Sequence, residues 1–207
     1  MEGARVGRPQ TRYVETPLGY LAYQTFGAGD RDIIFVTSGL SNIDVIWDEP
    51  SAARFFDRLS TMGRVILYDM RGSGVSDPIP ISDRFLPIEE NVDDVRAVLD
   101  AVGSTESVVY GDAEGGLWAM MLAAVDPDRV SSLVLVNAFP RLLRSDDYPI
   151  GVPREVAKKL SDLYVAQHGT TGDMLELTAP SGPAFTLARS SFATGKSGAS
   201  VSTSLPG

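Results

Sequence analysis

Short, continuously apolar runs alternate along this chain with longer stretches in which apolar residues return every three or four positions. Ile33-Ile34-Phe35-Val36 is one such run, and Val65-Ile66-Leu67-Tyr68, Val108-Val109-Tyr110 and Leu133-Val134-Leu135-Val136 repeat it. Runs of this length, rich in β-branched and aromatic residues and bounded by Gly, Asp, Asn or Ser, predict strands covered on both faces. Gly19 to Phe26 alternates instead, Leu21, Tyr23 and Thr25 against Ala22 and Gln24, and predicts a strand ending at the turn Gly27-Ala28-Gly29-Asp30. Between these runs lie helical patterns. Ser51 to Ser60 sets Ala53, Phe56 and Leu59 on one face. Ile88 to Val102 gathers Val92, Val95, Val98, Leu99 and Val102, with acidic residues expected on the opposite side. Glu89 and Glu90 suit that helix's start, where the dipole favours negative charge, and Gly103 suits its end. Gly116 to Val125 and Arg154 to Gln167 complete the set. Strands alternating with helices predict about six strands in an α/β fold, a mostly parallel sheet with helices on both faces.

Composition sets the limits of this reading. The 207 residues are 43% hydrophobic and 22% charged, the balance of an ordinary globular domain. We expect a flexible arm over residues 1–10, one domain over 11–178, and a disordered tail over 179–207, where Ser, Gly, Thr and Pro dominate. The absence of cysteine excludes disulfides, thiolate zinc sites and a Cys nucleophile, and the single histidine, His168, excludes any site built on two imidazoles. A net charge of −9 argues against nucleic acid as a partner. No apolar run approaches the about 18 residues of a membrane span, and no secretory leader is visible, so the expectation is a soluble cytoplasmic protein.

The candidate chemistry centres on Val108-Val109-Tyr110-Gly111-Asp112-Ala113-Glu114-Gly115-Gly116, a strand, a Gly-rich turn and a helix. A nucleophile elbow, G-x-S-x-G, requires that context. Here the central position is Ala113, whose methyl group has no lone pair to attack a carbonyl. Asp112 or Glu114 would serve as nucleophile only if the turn shifted by one residue, which would misplace Gly111 and Gly115. The end of Ile33 to Val36 runs into Thr37-Ser38-Gly39-Leu40, and Val65 to Tyr68 runs into Asp69-Met70-Arg71-Gly72-Ser73-Gly74-Val75-Ser76-Asp77-Pro78. Gly195-Lys196-Ser197 resembles the end of a phosphate-binding loop, but Ser190 stands where the leading glycine belongs.

Together the D-x-R-G-x-G-x-S stretch, the G-x-A-x-G-G turn and the later Asp126-Pro127-Asp128-Arg129-Val130 leading into Leu133-Val134-Leu135-Val136-Asn137 resemble the α/β-hydrolase superfamily over roughly Thr11 to Thr178. More narrowly, Ala22-Tyr23-Gln24, Asp48-Glu49-Pro50, Phe55 to Leu59, Asp93-Asp94-Val95-Arg96, Asp100-Ala101-Val102-Gly103 and Asp147-Tyr148-Pro149 resemble hydrolase-like domains joined to actinobacterial adenylate/guanylate cyclases. The resemblance implies an α/β-hydrolase fold whose C-terminal strands are missing, with a partial cap from about residue 140. It places Ala113 at the nucleophile position and the oxyanion-hole amides at Leu40 and Glu114. It also assigns the Asp69–Arg71 loop a structural role and His168 a helix end rather than the catalytic base. The serine, acid and histidine of that family come in chain order; Ala113 replaces the first, and the strands bearing the other two are not seen. Three expectations follow: a silent ligand-binding or regulatory module that holds a small apolar ester or acyl ligand; an active ester or lipid hydrolase with unassigned residues; or a truncated gene product. No metal or organic cofactor is implied. The uncharged run Leu133 to Val136, left as an edge, predicts self-association.

Overall fold

The computed structural model describes residues 7–37, 42–79 and 87–167. Six strands form one mixed sheet: β1 (Arg12–Thr16), β2 (Gly19–Phe26), β3 (Asp32–Val36), β4 (Arg64–Tyr68), β5 (Ser107–Asp112) and β6 (Val130–Val136), in spatial order β1-β2-β4-β3-β5-β6. The first two pairings, β1 with β2 and β2 with β4, are antiparallel; β4, β3, β5 and β6 run parallel. The helices are α1 (Pro50–Ser60), α2 (Ile88–Ala101), α3 (Glu114–Val125) and α4 (Arg154–Gln167). β1 escaped the sequence reading because its Arg12-Tyr13-Val14-Glu15-Thr16 is a polar edge strand with little apolar signal.

Two cores cover the two faces of the sheet, as a doubly covered parallel sheet requires. On one face Val92, Val95, Val98 and Leu99 of α2 and Ala119 and Leu122 of α3 pack on Leu21, Ile34, Ile66 and Val109. On the other, Phe56 of α1 packs with Phe26, Ile33, Phe35, Val65 and Leu67, and Phe56 meets Phe26 and Phe35 edge to face. Trp118 and Met121, partly buried, pack against the first core.

Local signals end the helices where chemistry demands. Glu49 caps α1, accepting from the Ser51 amide at 3.2 Å, with Pro50 in the first turn. At the end of α2 the amides of Gly103 and Ser104 reach back to Asp100 and Leu99 (3.0 and 2.9 Å), and Gly103 takes φ +66°. That is a Schellman closure, which favours glycine at this position. One expectation for α2 is corrected. Its acidic residues do not all face water: Asp94 is buried on the sheet side. Burial is tolerated because Arg71, itself 2% exposed, lies against it at 2.6 Å. Among the described residues no helix is long and apolar enough to cross a membrane.

Candidate functional site

The carboxyl ends of β4 and β5 lead into turns whose residues are described. The sharpest follows β5. Ala113 sits at its apex with φ 48° and ψ −121°, a conformation that L residues rarely adopt. Its amide donates to the Val136 carbonyl at 3.1 Å, and its carbonyl accepts from the Gly116 amide at 3.1 Å, so both neighbours of the apex are fixed. The glycines around it are required by contact. A Cβ on Gly115 would lie 2.1 Å from the Val36 carbonyl oxygen, one on Gly116 would lie 2.2 Å from the Ala138 methyl, and one on Gly111 would lie 2.7 Å from the Gly116 Cα. Strand and helix therefore approach more closely than any side chain permits. Glu114 opens α3 with its side chain exposed.

Two carboxylates flank the apex. Burial holds the Asp112 carboxyl above its ordinary range; the Ala113 amide works against this and the charge of Glu114 adds to it. Neither acid stands at the apex, so the shift by one residue that would make either a nucleophile is not present.

The turn after β4 is held by side chains. Asp69 is fully buried and accepts from the amides of Ile43 (3.0 Å) and Val75 (2.9 Å). Arg71 donates to the Leu18 carbonyl (2.6 Å), to Thr16 Oγ1 (2.8 Å) and to Asp94 (2.6 Å). Asp69 ties backbone to backbone and Arg71 ties the β1–β2 turn to α2, contacts of the structural kind expected of this loop. Through Ile43, Asp69 also anchors the segment that follows β3. A second clasp on that segment was not foreseen: the buried amide of Gln24 accepts from Trp47 Nε1 (2.8 Å) and donates to Thr11 Oγ1 (2.8 Å) and Asp44 (3.1 Å). An alternating strand pattern gives Gln24 no special mark; the sign available was a long polar residue in an otherwise apolar strand.

Leu40, proposed as one oxyanion amide, lies outside the described residues, as do Ser38, Gly39, His168 and residues 179–207. A cleft of about 290 Å³ lined by Asp30, Arg31, Asp32, Glu106, Val108, Ser131 and Ser132 lies at the amino ends of β3, β5 and β6, opposite the elbow, and its polar walls do not suit an acyl chain. Among the described residues no cluster of three or more His, Cys, Asp or Glu side chains is arranged to hold a metal ion.

Comparison with known proteins agrees with this geometry. A protein of Variovorax paradoxus provisionally named carbamate hydrolase RutD is 36% identical over 121 residues, covering 58% of this chain and 43% of its own length. A protein of Petunia hybrida named karrikin insensitive 2 receptor IA is 28% identical over 99 residues, covering 47% of this chain and 36% of its own. The chain thus matches less than half the length of either relative. Among solved structures an esterase of Exiguobacterium antarcticum superposes with a TM-score of 0.67 over 88% of this chain and 70% of its own, at 18% identity, which is a likeness of fold. The family model described as the alpha/beta hydrolase fold matches residues 33–163, well over half of the sequence. With its mostly parallel sheet, its strained turn after β5 and its two covering helix layers, this chain belongs to the α/β-hydrolase fold family.

Proposed function

We propose that this protein is a catalytically silent member of its family, a ligand-binding or regulatory module that holds small apolar esters or acyl chains without cleaving them. The observation that carries this reading is Ala113 at the strained apex. Acyl transfer by this fold needs an oxygen nucleophile at that point, activated by a base. A methyl group supplies neither the attacking lone pair nor a proton to be taken. The turn nevertheless keeps a backbone conformation that costs about 1–3 kcal/mol, together with the glycines that permit it. The strained scaffold therefore persists without the group it presents.

In this reading the Glu114 amide and that of Leu40 form the polar end of the site, and the carbonyl of an ester or acyl group sits against them. Replacing a hydroxyl by a methyl group makes the floor less polar, which favours apolar ligands. The name of the Petunia hybrida relative shows that proteins similar to this chain include one named as a receptor, which supports binding as an end in itself. The narrower kinship, with hydrolase-like domains joined to cyclases, and a cytoplasmic location fit a regulatory role and belong to the same proposal.

A fluorophosphonate probe tests the silence. The expected outcome is no labelling of the wild-type chain, and no esterase turnover from Ala113→Ser alone, because among the described residues no histidine stands beside the new hydroxyl. Labelling that maps to a single serine in the wild type would overturn the proposal in favour of an active ester hydrolase. Native mass spectrometry across fatty acids and short esters tests the binding half. Retention of none of them would leave the module without its ligand and defeat that half.

A further inference from the structure

Three segments far apart in sequence meet at the Asp44 carboxylate. Asp44 lies between β3 and α1, and its Oδ1 accepts from Thr11 Oγ1 (2.5 Å) and from Gln24 Nε2 (3.1 Å), while Arg8 Nη2 approaches it at 3.8 Å. Gln24 Nε2 also donates to Thr11 Oγ1 at 2.8 Å, which closes a triangle, and Gln24 Oε1 accepts from Trp47 Nε1 at 2.8 Å. The two sides of this cluster differ in depth. Gln24 is fully buried, Trp47 packs edge-on against Phe26, and the Ile43 amide donates to buried Asp69. Arg8, by contrast, keeps 50% of its side chain in solvent and Asp44 keeps 33%. Thr11 stands one step ahead of the β1–β2 ladder, which begins with Arg12 beside Tyr23. It therefore belongs to the end of an edge strand, where local opening begins.

We propose that residues 8–11 are a salt-sensitive strap, whose docking on Asp44 sets whether segment 42–48 sits tight or loose on the sheet. A buried amide must have its partners. With the strap docked, Gln24 Nε2 has two acceptors, Thr11 and Asp44. With Thr11 lifted away, Asp44 Oδ1 loses its nearest donor, and the Gln24 nitrogen keeps only its longer bond, to Asp44. The hold that centres Asp44 over Gln24 weakens, and with it the placement of Trp47 on the same amide. The sheet itself loses nothing, because its ladder begins at Arg12 and neither core includes a strap residue. The strap is held by little. Its ion pair is exposed and screened by salt, and its hydrogen bond to a carboxylate is the stronger of the two contacts. Contacts this few open without global unfolding. Through Ile43 the state of the strap reaches Asp69, which also accepts from the Val75 amide at 2.9 Å and so joins the turn after β4. The strap works the same way whatever the elbow binds.

Hydrogen exchange followed by NMR on the 207-residue chain tests it, with the two tryptophans as paired reporters. The Trp47 indole N–H donates to Gln24, whereas Trp118 packs against the other core. Thr11→Val is expected to speed exchange of the Trp47 indole and of the 43–48 amides by about tenfold, the worth of a hydrogen bond to a charged group. The Trp118 indole and the α3 amides should not change. In the wild type the Trp47 and 43–48 protons should exchange faster as ionic strength rises, by about two- to fivefold, the range of an exposed ion pair. Arg8→Gln should exchange at the faster rate even at low salt and lose the salt dependence. Unchanged exchange at Trp47 in Thr11→Val overturns the proposal. An equal rise at Trp118 and in α3 does so too, because Thr11 would then be a general stabiliser of the fold. Should Thr11→Val not fold, the salt series on the wild type and on Arg8→Gln, a change at an exposed position, still decides. A wild type without a salt response, or a response that persists in Arg8→Gln, also overturns the proposal.

Discussion

On either side of β3, β4 and β5 end in tight turns built by different means. After β4 the chain turns from Asp69 to Asp77 around a buried carboxylate, and a buried guanidinium locks it to the β1–β2 turn and to α2. After β5 it turns from Asp112 to Gly115 with almost no help from side chains. Shape there comes from three glycines against backbone and small side chains, and from one residue forced to positive φ. The first turn is held by buried polar partners together with Gly72 and Gly74 at positive φ, the second by the absence of atoms, without buried polar side-chain partners. That difference has consequences for change. The apex of a turn held by backbone packing alone can exchange its side chain without disturbing the frame. Position 113 accordingly carries alanine on an intact elbow, whereas neither Asp69 nor Arg71 can leave without stranding a buried partner.

The largest test of the contrast is Arg71→Met. It leaves the Asp94 carboxylate buried and unpaired, which costs about 3–5 kcal/mol. Denaturant unfolding should report that loss, and adding Asp94→Leu should recover most of it, because a pair of apolar residues strands no charge. A single-variant cost below about 1 kcal/mol, the range of an exposed ion pair, would break the comparison by showing the first turn to be held by packing after all.

Gly115→Ala probes the second turn on its own terms. The added methyl group would stand 2.1 Å from the Val36 carbonyl oxygen, so the β3 end or α3 must move. Such overpacking costs about 1–3 kcal/mol or more. Gly103→Ala is the complementary control: its φ is positive, at +66°, whereas that of Gly115 is not, and its Cβ would meet nothing within 4 Å. Only the backbone penalty, about 1 kcal/mol, is expected there. No loss at Gly115, a helical position where alanine is otherwise favoured, would mean that contact there contributes nothing.

This same contrast decided what could be foreseen from sequence. Glycine spacing and apolar runs are local, so the elbow, four of the parallel strands and the ends of α1 and α2 were visible along the chain. Arg71 and Asp94 are 23 positions apart and meet only because the sheet brings their elements together. Helical periodicity placed Asp94 among exposed acids for want of that partner. Gln24 and Trp47 meet the same way. Polar clasps between distant segments carry no periodic signature, and neither does an edge strand such as β1, whose outward residues have no core to match.

Ala113→Gly should have a smaller effect, with the opposite sign. Glycine at φ 48° escapes the strain of about 1–3 kcal/mol but loses more backbone freedom on folding, about 0.5–1 kcal/mol. A net gain of about 1 kcal/mol is expected, measured as a higher unfolding midpoint with unchanged slope. A loss would show that the alanine methyl group packs usefully and that the apex is not a strained position.

The smallest effect belongs to Asp112→Asn, and pH reveals it. Burial raises the Asp112 carboxyl above its unfolded range, against the pull of the Ala113 amide, and the neighbouring Glu114 charge raises it further. A carboxyl that binds its proton more tightly when folded weakens the fold wherever it is ionised. That penalty is full above the folded pKa and fades as pH falls through it toward the unfolded value of about 3.9. Asparagine keeps the shape and carries no charge at any pH. The variant should therefore melt slightly above the wild type at pH 7, and the two should converge as the solution approaches pH of about 4. The part-exposed carboxyl keeps the difference small, since solvent screens it. Wild type melting higher at pH 7 would mean that ionised Asp112 is held by a partner and that the second turn depends on a side chain after all.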